Sequence, residues 1–310
     1  MTRVAGLDCG TNSLRLLVAD LQPDGTLRDV VRDMQVVRLG EGVDRTGELS
    51  AAALERTFRV LREYARRCRE LGAERVRMVA TSATRDARNR DEFTRGVRDI
   101  LGVDPEVITG EQEAALSFVG ATGDLRGRPD LADPYLVVDI GGGSTEFILG
   151  GPEGAVASRS VDVGCVRMTE RHLHSDPAAA AELQAAEADI ASAIADVRRT
   201  VDLGATRTLV AVAGTATTMT ALALGLPAYD PERIHLSAVS LADVERIYSE
   251  LAVMDGAQRA ALGPMHPGRV DVIVAGALIL REVVRAAGTG GMVASEHDIL
   301  DGITLSLGQP

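Results

Sequence analysis

Tryptophan is absent from this chain, and aromatic residues make up only 3% of it. A core built on large aromatic side chains is therefore excluded, and burial must come mainly from Ala, Val, Leu and Ile. Hydrophobic residues reach 45% of the 310 residues. That is enough material for the cores of two domains of ordinary size.

Cysteine is also scarce. Cys9, Cys68 and Cys165 are far apart and odd in number, which excludes a recognisable disulfide framework or cysteine metal-binding spacing. This usage fits a reducing compartment, so we expect a cytoplasmic protein. The N-terminal residues also lack the apolar segment and the cleavage site of a signal peptide.

Long hydrophobic runs and excess positive charge are missing as well. The segment from Thr208 to Tyr229 carries no charged side chain, but Gly, Pro and Thr interrupt it, which favours strand, glycine turn and helix over a membrane span. The formal charge of −12 argues against broad nucleic-acid binding. A local positive cleft for a small anion remains compatible with that charge. We expect a soluble protein without membrane or nucleic-acid partners.

The pattern D-x-G-x-x-S occurs twice, beginning at Asp8 and at Asp139. Each copy follows an apolar strand and precedes another strand. An internal duplication is the economical explanation. Two strand-to-strand glycine turns, each with an acid at the end of a strand, would then face one another across a cleft.

The hydrophobic periodicity alternates between strands and helices, which indicates an α/β fold. One helix is predicted between Ser50, which would cap it, and Gly72, which would end it. A long Ala-rich helix is predicted to begin at Asp176-Pro177 and to run to about Leu203.

Glycine and hydroxyl residues cluster directly after three predicted strands. Glycine lets backbone N–H groups converge on an anion, and hydroxyl groups add donors. The last of these segments also opens a helix, whose dipole favours negative charge. The three candidate phosphate loops are Gly10 to Ser13, Gly141 to Thr145 and Gly214 to Thr218.

Three acids, Asp8, Asp139 and Glu146, lie in or beside the first two loops. Next to phosphate-binding amides they make sense if magnesium bridges them, since bare carboxylates would repel the substrate. The alternative is that the two aspartates brace the turns through hydrogen bonds. Glu113, in a first helical turn, is a candidate catalytic carboxylate. Acidic residues at that position are ordinarily partners of the helix dipole.

A basic stretch from Thr81 to Arg90 interleaves hydroxyl and guanidinium groups, which suit phosphate oxygens. We interpret it as a polar loop. Arg15, Arg167 and Arg269 are further candidates for the same anion track. His172 and His174 lack a third ligand at a metal-binding spacing and are interpreted as surface residues.

These segments resemble the exopolyphosphatase / guanosine pentaphosphate phosphohydrolase (Ppx/GppA) family of the actin-like ATPase superfamily. The resemblance is closest to its short, two-domain actinobacterial type. It implies an α/β, duplicated actin-like ATPase (ribonuclease H-like) fold with two lobes around a central cleft. We expect one lobe over residues 1–124 and another over 125–310, with a helix near 297–310 that could pack back on the first. The matching segments are DCGTNSLRLLVAD, ATSATRDARN, ITGEQEAALSF, VVDIGGGSTEF, VGCVRMTE, AVAGTATTMTA and SEHDILDGI.

The resemblance implies an exopolyphosphatase that hydrolyses the terminal phosphoanhydride of inorganic polyphosphate and releases orthophosphate. Glu113 would be the general base, and Asp8, Asp139 and Glu146 would hold Mg²⁺ or another hard divalent cation. A homodimer, and guanosine tetra- or pentaphosphate as inhibitor or substrate, are expected by resemblance alone. The implied phosphate-binding residues are Gly10, Thr11, Asn12, Ser13, Arg15, Ser82, Arg85, Arg88, Gly141, Gly142, Gly143, Ser144, Thr145, Gly214 and Thr215, with Arg167 and Arg269 as additional candidates.

Three rival functions stay open on the sequence. The first is removal of the 5′ γ-phosphate from guanosine pentaphosphate, which also ends in a phosphoanhydride. The second is an ATP-dependent kinase, which the glycine loops alone would permit. The third is a non-catalytic module that binds the alarmone guanosine tetraphosphate. The presence of all four candidate acids, Asp8, Glu113, Asp139 and Glu146, argues against this loss of catalysis.

Overall fold

The computed structural model of the chain describes residues 2–125 and 127–308. The chain separates into two compact units. The first contains the residues up to 120 together with those from 299 onward, and the second contains residues 121–298. The chain therefore leaves the first unit after Gly120 and returns to it after Asp298.

The first unit begins with a long antiparallel hairpin and continues with alternating helices and parallel strands. Its elements are β1 (Thr2–Cys9), β2 (Ser13–Leu21), β3 (Leu27–Val36), α1 (Val43–Thr46), α2 (Ala51–Glu70), β4 (Arg75–Ala80), α3 (Ser82–Asp86), α4 (Arg90–Leu101), β5 (Glu106–Val107) and α5 (Gly110–Thr122), which runs past residue 120.

The sheet of this unit has the order β3-β2-β1-β4-β5. β1, β2 and β3 pair antiparallel, whereas β4 pairs parallel to β1 and β5 parallel to β4. Alternate residues of β2 enter two different cores, as the period of a strand requires. Leu16 and Val18 join the cluster that includes residues of α2, and Leu17 and Ala19 pack with Leu300 on the opposite face.

Leu300 belongs to the last helix of the chain, which covers that opposite face next to β1. Gly6 of β1 allows the close approach, because a Cβ there would lie 2.2 Å from the hydroxyl oxygen of Thr304. On the other side of the sheet, α2 begins as predicted: the Ser50 side chain accepts a hydrogen bond from the N–H of Ala53.

The second unit repeats the hairpin and the parallel strands and adds more helices. Its elements are β6 (Tyr135–Ile140), β7 (Thr145–Gly151), β8 (Gly154–Val161), α6 (Cys165–His172), α7 (Ala180–Val197), β9 (Thr208–Val212), α8 (Ala213–Ala223), α9 (Pro231–Ile234), β10 (Ala238–Ser240), α10 (Leu241–Val253), α11 (Gly256–Ala260), α12 (Ile273–Ala287) and β11 (Gly291–Ala294), and the helix that returns to the first unit is α13 (Ile299–Ser306).

The sheet of the second unit has the order β10-β11-β9-β6-β7-β8. From its hairpin edge it runs β8-β7-β6-β9-β11, which matches β3-β2-β1-β4-β5 strand for strand. Within this run the first three strands are antiparallel and the others parallel, as in the first unit. This repeat confirms the duplicated α/β fold, and β10 is an addition at one edge.

Two local predictions were wrong. The Ala-rich helix α7 begins at Ala180 and ends at Val197 rather than spanning 176 to about 203. Asp176 does not cap it, because its carboxylate accepts from Gly256 N–H and Arg259 instead. The stretch from 81 to 90 is also not wholly a loop, since α3 forms within it. Among the described residues, no helix combines the length and apolar character needed to cross a membrane.

Candidate functional site

The first glycine loop joins β1 to β2 and is held by its own carbonyl groups. Gly10 N–H donates to the carbonyl of Ser13 at 3.0 Å, and the carbonyl of Thr11 accepts from Gly40 N–H at 2.8 Å. The carbonyl of Asn12 accepts two more backbone hydrogen bonds, at 3.0 and 2.8 Å. In a trans peptide the C=O and the following N–H point in opposite directions, so the N–H groups of Asn12 and Ser13 face away from these donors. Successive N–H groups turned to one side are suited to an anion.

Asp8 ends β1 directly opposite Arg15 of β2. Arg15 donates from Nε and Nη2 to Asp8 Oδ2 at 2.8 and 2.6 Å. Asp8 is buried, with 3% exposure, so the adjacent guanidinium offsets the cost of its negative charge. Burial and the charge of Asp8 raise the pKa of the neighbouring Cys9 thiol, which therefore stays neutral near neutral pH.

The carboxyl ends of β1, β4 and β5 share one edge of the first sheet, because these strands are adjacent and parallel. Ligands of open α/β sheets bind beyond such an edge. The Thr11 and Ser82 hydroxyls hydrogen-bond at 2.8 Å, which joins the first loop to α3. Arg85 of α3 donates from Nη1 to Glu113 Oε2 of α5 at 3.0 Å. The first unit thus gathers a phosphate-type loop, a hydroxyl, a guanidinium and the candidate base at one edge.

Glu113 is buried, with 7% exposure, and the start of its helix is firmly held. Its N–H donates to the Thr109 carbonyl at 2.9 Å, and Arg85 Nη1 also donates to the Ile108 carbonyl at 3.0 Å. Thr109 N–H donates to Gln112 Oε1 at 2.9 Å, and Gln112 N–H donates to Thr109 Oγ1 at 3.2 Å. This reciprocal capping explains how Gln112 serves the site: it fixes the first turn that carries Glu113.

The second glycine loop joins β6 to β7 and repeats the first. Gly141 N–H donates to the Ser144 carbonyl at 3.0 Å, as Gly10 does to Ser13. The carbonyls of Gly141 and Gly142 accept from the first N–H groups of α6 at 2.9 to 3.0 Å, and the Gly143 carbonyl accepts from Arg167 Nε at 2.7 Å. With all three carbonyls turned to α6, the N–H groups of the following residues point the other way. The loop therefore presents a row of three donors suited to a phosphate group.

Asp139 and Glu146 lie directly opposite each other on β6 and β7. By the repeat, Asp139 stands where Asp8 stands in the first unit, and Glu146 stands where Arg15 stands. The two acids are 6% and 1% exposed, and Ser160 donates to Glu146 Oε1 at 2.8 Å. Like charges directly opposite on neighbouring strands destabilise a sheet unless a cation lies between them. Two buried carboxylates are also the ligand type that magnesium prefers, so this pair fits a metal better than the arginine-bound Asp8 does.

The third loop begins where β9 passes into α8. Ala213 has φ of 65°, a left-handed conformation that costs a non-glycine residue about 1–3 kcal/mol and is found mainly at functional sites. The Arg269 guanidinium lies against Gly214, where a Cβ would come within 2.2 Å of it, and Arg269 Nη1 donates to Thr218 Oγ1 at 2.9 Å. A guanidinium beside the N-terminus of a helix makes a favourable anion site.

Arg88 does not join Arg85 and Glu113. Its Nη2 donates to the Thr46 carbonyl at 3.0 Å and to Glu48 at 3.2 Å, and 72% of its side chain is exposed. The alternation of hydroxyls and arginines in this stretch therefore did not indicate which arginines lie near Glu113. α3 directs Arg85 inward, whereas Arg88, beyond the end of α3, reaches the turn before α2.

Two of the candidate phosphate-binding residues, Thr145 and Thr215, have hydroxyl groups that point into the protein interior. Thr145 is fully buried and its hydroxyl donates to the carbonyl of Val163. Thr215 is 5% exposed, and its hydroxyl faces Gly276 of α12, where a Cβ would be 2.5 Å away. These side chains therefore position their loops, and any phosphate contact would come from the backbone.

Sequence reasoning also missed features of the second unit. His172 is partly exposed and lies 2.9 Å from Asp189, a partner that the sequence did not indicate, whereas His174 is exposed. Glu296, which follows β11 at the same sheet edge as the third loop, accepts a hydrogen bond from the Tyr229 hydroxyl at 2.6 Å. Burial and Glu296 together raise the pKa of Tyr229. The SEHDILDGI segment could have pointed to Glu296, but the sequence analysis assigned no role to this residue.

The repeated sheet order and the paired glycine loops define a duplicated α/β protein. Within that class, the chain belongs to the Ppx/GppA phosphatase family, whose model matches residues 17–308. This assignment confirms the prediction of an enzyme of the phosphoanhydride hydrolase type.

Individual relatives agree with the family assignment. Exopolyphosphatase 2 of Mycobacterium tuberculosis is 50% identical over 319 residues, which cover 99% of this chain and 99% of that protein. The crystal structure of an exopolyphosphatase-like protein is 44% identical, with a TM-score of 0.93, and the match covers 99% of this chain and 97% of the other. The crystal structure of the Aquifex aeolicus member of the Ppx/GppA family is 28% identical, with a TM-score of 0.80. The match covers 99% of this chain and 97% of the other.

Proposed function

We propose that the protein is an exopolyphosphatase that hydrolyses the terminal phosphoanhydride of inorganic polyphosphate and releases orthophosphate. The observation that carries the proposal is the ion pair between the buried Glu113 and the partly buried Arg85, at the sheet edge that also carries the first glycine loop. A base held by a guanidinium, beside a loop suited to phosphate, is the arrangement that hydrolysis of a phosphate anhydride requires.

Substrate binding in this proposal rests on the backbone of the glycine loops, each considered within its own unit. Their N–H groups would hold phosphoryl oxygens, and Arg85, Arg167 and Arg269 would supply the compensating positive charge. Arg15 would act indirectly, because it neutralises Asp8. A protein of net charge −12 needs such local cationic side chains to attract a polyanion.

Asp139 and Glu146 are the residues that we propose to hold magnesium, with Asp8 as a supporting acid. When bound, the metal would supply neutralisation of charge on the phosphoryl oxygens. The protein supplies the rest of the electrostatic environment through fixed N–H dipoles, which need no reorganisation during the reaction.

Glu113 is the proposed general base. Its carboxylate would take a proton from a water molecule that attacks the terminal phosphorus in line. The bond between this phosphorus and the bridging oxygen breaks, and the bridging oxygen stays on the shortened polyphosphate. Arg85 would hold the carboxylate in place during this transfer.

The substitution Glu113→Gln tests the role directly. The amide keeps an oxygen acceptor for Arg85 but cannot take the proton, so kcat should fall by roughly 10²–10⁴ while polyphosphate binding, measured by calorimetry, stays close to the parent's. Glu111→Gln is the matched control, since Glu111 lies in the same helical turn and is exposed. A Glu113→Gln enzyme as fast as the Glu111→Gln enzyme would remove Glu113 from this role.

The substrate itself is tested by comparing orthophosphate release from polyphosphates of defined length with release from guanosine pentaphosphate under equal conditions. The proposal requires faster release from polyphosphate. Preference for guanosine pentaphosphate, ATP consumption that depends on a second substrate, or alarmone binding without any hydrolysis would each support one of the rival functions. The cytoplasmic location and the homodimer stay predictions.

A further inference from the structure

Three potential metal ligands that belong to none of the three glycine loops meet in the second unit. Asp124 lies in the 3₁₀ turn Gly123–Leu125, His235 follows α9, and His297 follows β11. Their ligand atoms all lie within 4.8 Å of one another. Asp124 Oδ2 is 2.5 Å from His297 Nδ1 and 3.2 Å from His235 Nε2, and the two imidazole rings lie 4.7 Å apart.

The ligand types and their spacing match a transition-metal centre. Two imidazoles and one carboxylate suit Zn²⁺, Co²⁺ and similar ions, whereas magnesium prefers oxygen alone. With zinc–ligand bonds of ~2.0–2.1 Å in a tetrahedron, neighbouring ligand atoms lie roughly 3.3–3.4 Å apart. The His235–Asp124 distance of 3.2 Å is slightly shorter than this, and the His297–Asp124 distance of 2.5 Å would have to widen by roughly 1 Å.

Access and hydrogen bonding also allow a metal. The side chains of Asp124, His235 and His297 are 47%, 23% and 39% exposed, so an ion can enter from solvent and a water can complete its coordination. His235 Nδ1 accepts from Glu296 N–H at 3.2 Å, a long hydrogen bond. Coordination through Nε2 would move the ring proton to Nδ1 and give up that bond, which is a small loss compared with a metal–imidazole bond.

We propose that Asp124, His235 and His297 form a binding site for one borderline divalent cation of the zinc and cobalt class. The site is separate from the proposed magnesium ligands and does not depend on the proposed function. Asp124 follows Gly120, where the chain leaves the first unit, by four residues, and His297 precedes Ile299, where the chain returns, by two. A bound metal would therefore tie together the ends of the second unit next to both chain connections, which makes its expected role stabilising.

Cobalt titration of the full chain, stripped with a chelator and free of any polyhistidine tag, tests the proposal. We expect one Co²⁺ per chain, detected by its visible absorption without the strong thiolate band that a cysteine ligand would give, and displaced by Zn²⁺ but not by excess Mg²⁺. His235→Gln and His297→Gln should each weaken Co²⁺ binding at least ~10-fold. His174→Gln is the matched control, since His174 is exposed and outside the cluster.

Thermal unfolding with and without Zn²⁺ gives a second readout. Zn²⁺ should raise the melting temperature of the parent and of His174→Gln, but not that of His297→Gln. Glu113→Gln should bind Co²⁺ like the parent, which separates this site from the proposed reaction. Absence of saturable Co²⁺ binding by the parent, or unchanged affinity in the folded His235→Gln and His297→Gln proteins, would overturn the proposal.

Discussion

Gly164 offers a precise mechanical test of the second glycine loop. A Cβ on Gly164 would lie 2.4 Å from the carbonyl carbon and oxygen of Gly142 and 2.5 Å from Gly143 N. Ordinary van der Waals contact begins at 3.4 Å, so Gly164→Ala must separate α6 from the loop by about 1 Å. Both sides of the contact are backbone, and no side chain can rotate away to relieve it.

The displacement acts on the hydrogen bonds that orient the loop. Backbone N–H groups at the start of α6 donate to the carbonyls of Gly141 and Gly142 at 2.9 to 3.0 Å, and these bonds set the direction of the N–H row. A misplacement of ~1 Å in a catalytic site can cost about 10²-fold in rate. Overpacking of a buried contact also destabilises a protein by roughly 1–3 kcal/mol. We therefore expect kcat/KM for polyphosphate to fall about 10²-fold and the melting temperature to drop.

The assay measures initial rates of orthophosphate release over a range of polyphosphate concentrations, together with thermal unfolding. Gly123→Ala is the control, because a Cβ at Gly123 meets no atom within 4 Å and its φ is not positive. That variant should match the parent in both measurements. A Gly164→Ala protein with the parent's kcat/KM and melting temperature would refute the argument that the α6 contacts position the loop.

Two further predictions concern the metal ligands and the thiols. Glu146→Gln should raise the Mg²⁺ concentration for half-maximal activity at least ~10-fold. The control Glu153→Gln, in the exposed turn between β7 and β8, should leave that concentration unchanged. Equal Mg²⁺ dependence of the two variants would exclude Glu146 as a ligand. Burial raises the pKa of Cys68 and of Cys165 from 9.0 to about 11, so the stability that their neutral thiols contribute is complete below pH 9 and is lost as the pH rises towards 11. Urea midpoints should fall over that interval, and less steeply in the Cys68→Ala/Cys165→Ala protein; equal slopes would contradict this.

Much of the fold could be predicted from the sequence because the signals are local and repeated. The D-x-G-x-x-S pattern marked both hairpin turns, and each turn has the same hydrogen bond, from Gly10 to Ser13 and from Gly141 to Ser144. The cap at Ser50 was likewise readable from neighbouring residues. The start of α7 was not, because Asp176 binds Arg259, which is 83 residues away in the sequence.

The candidate site was less predictable than the fold, since it depends on pairings between distant residues. Nothing in the local sequence indicates that Arg85 meets Glu113 while Arg88 turns to Glu48. The same holds for the cluster at Asp124, whose ligands are separated by as many as 173 positions in the sequence and meet only in the folded chain. Spacing rules find metal sites whose ligands are close in sequence, and this one has no such spacing.

The most direct test of the proposed reaction is hydrolysis of a short polyphosphate of defined length in water enriched with heavy oxygen. Attack of water on the terminal phosphorus predicts that the orthophosphate released first carries one heavy oxygen, while the chain shortened by one phosphate carries none. Heavy oxygen in the shortened chain, or fragments of intermediate length as the first products, would contradict terminal hydrolysis by activated water.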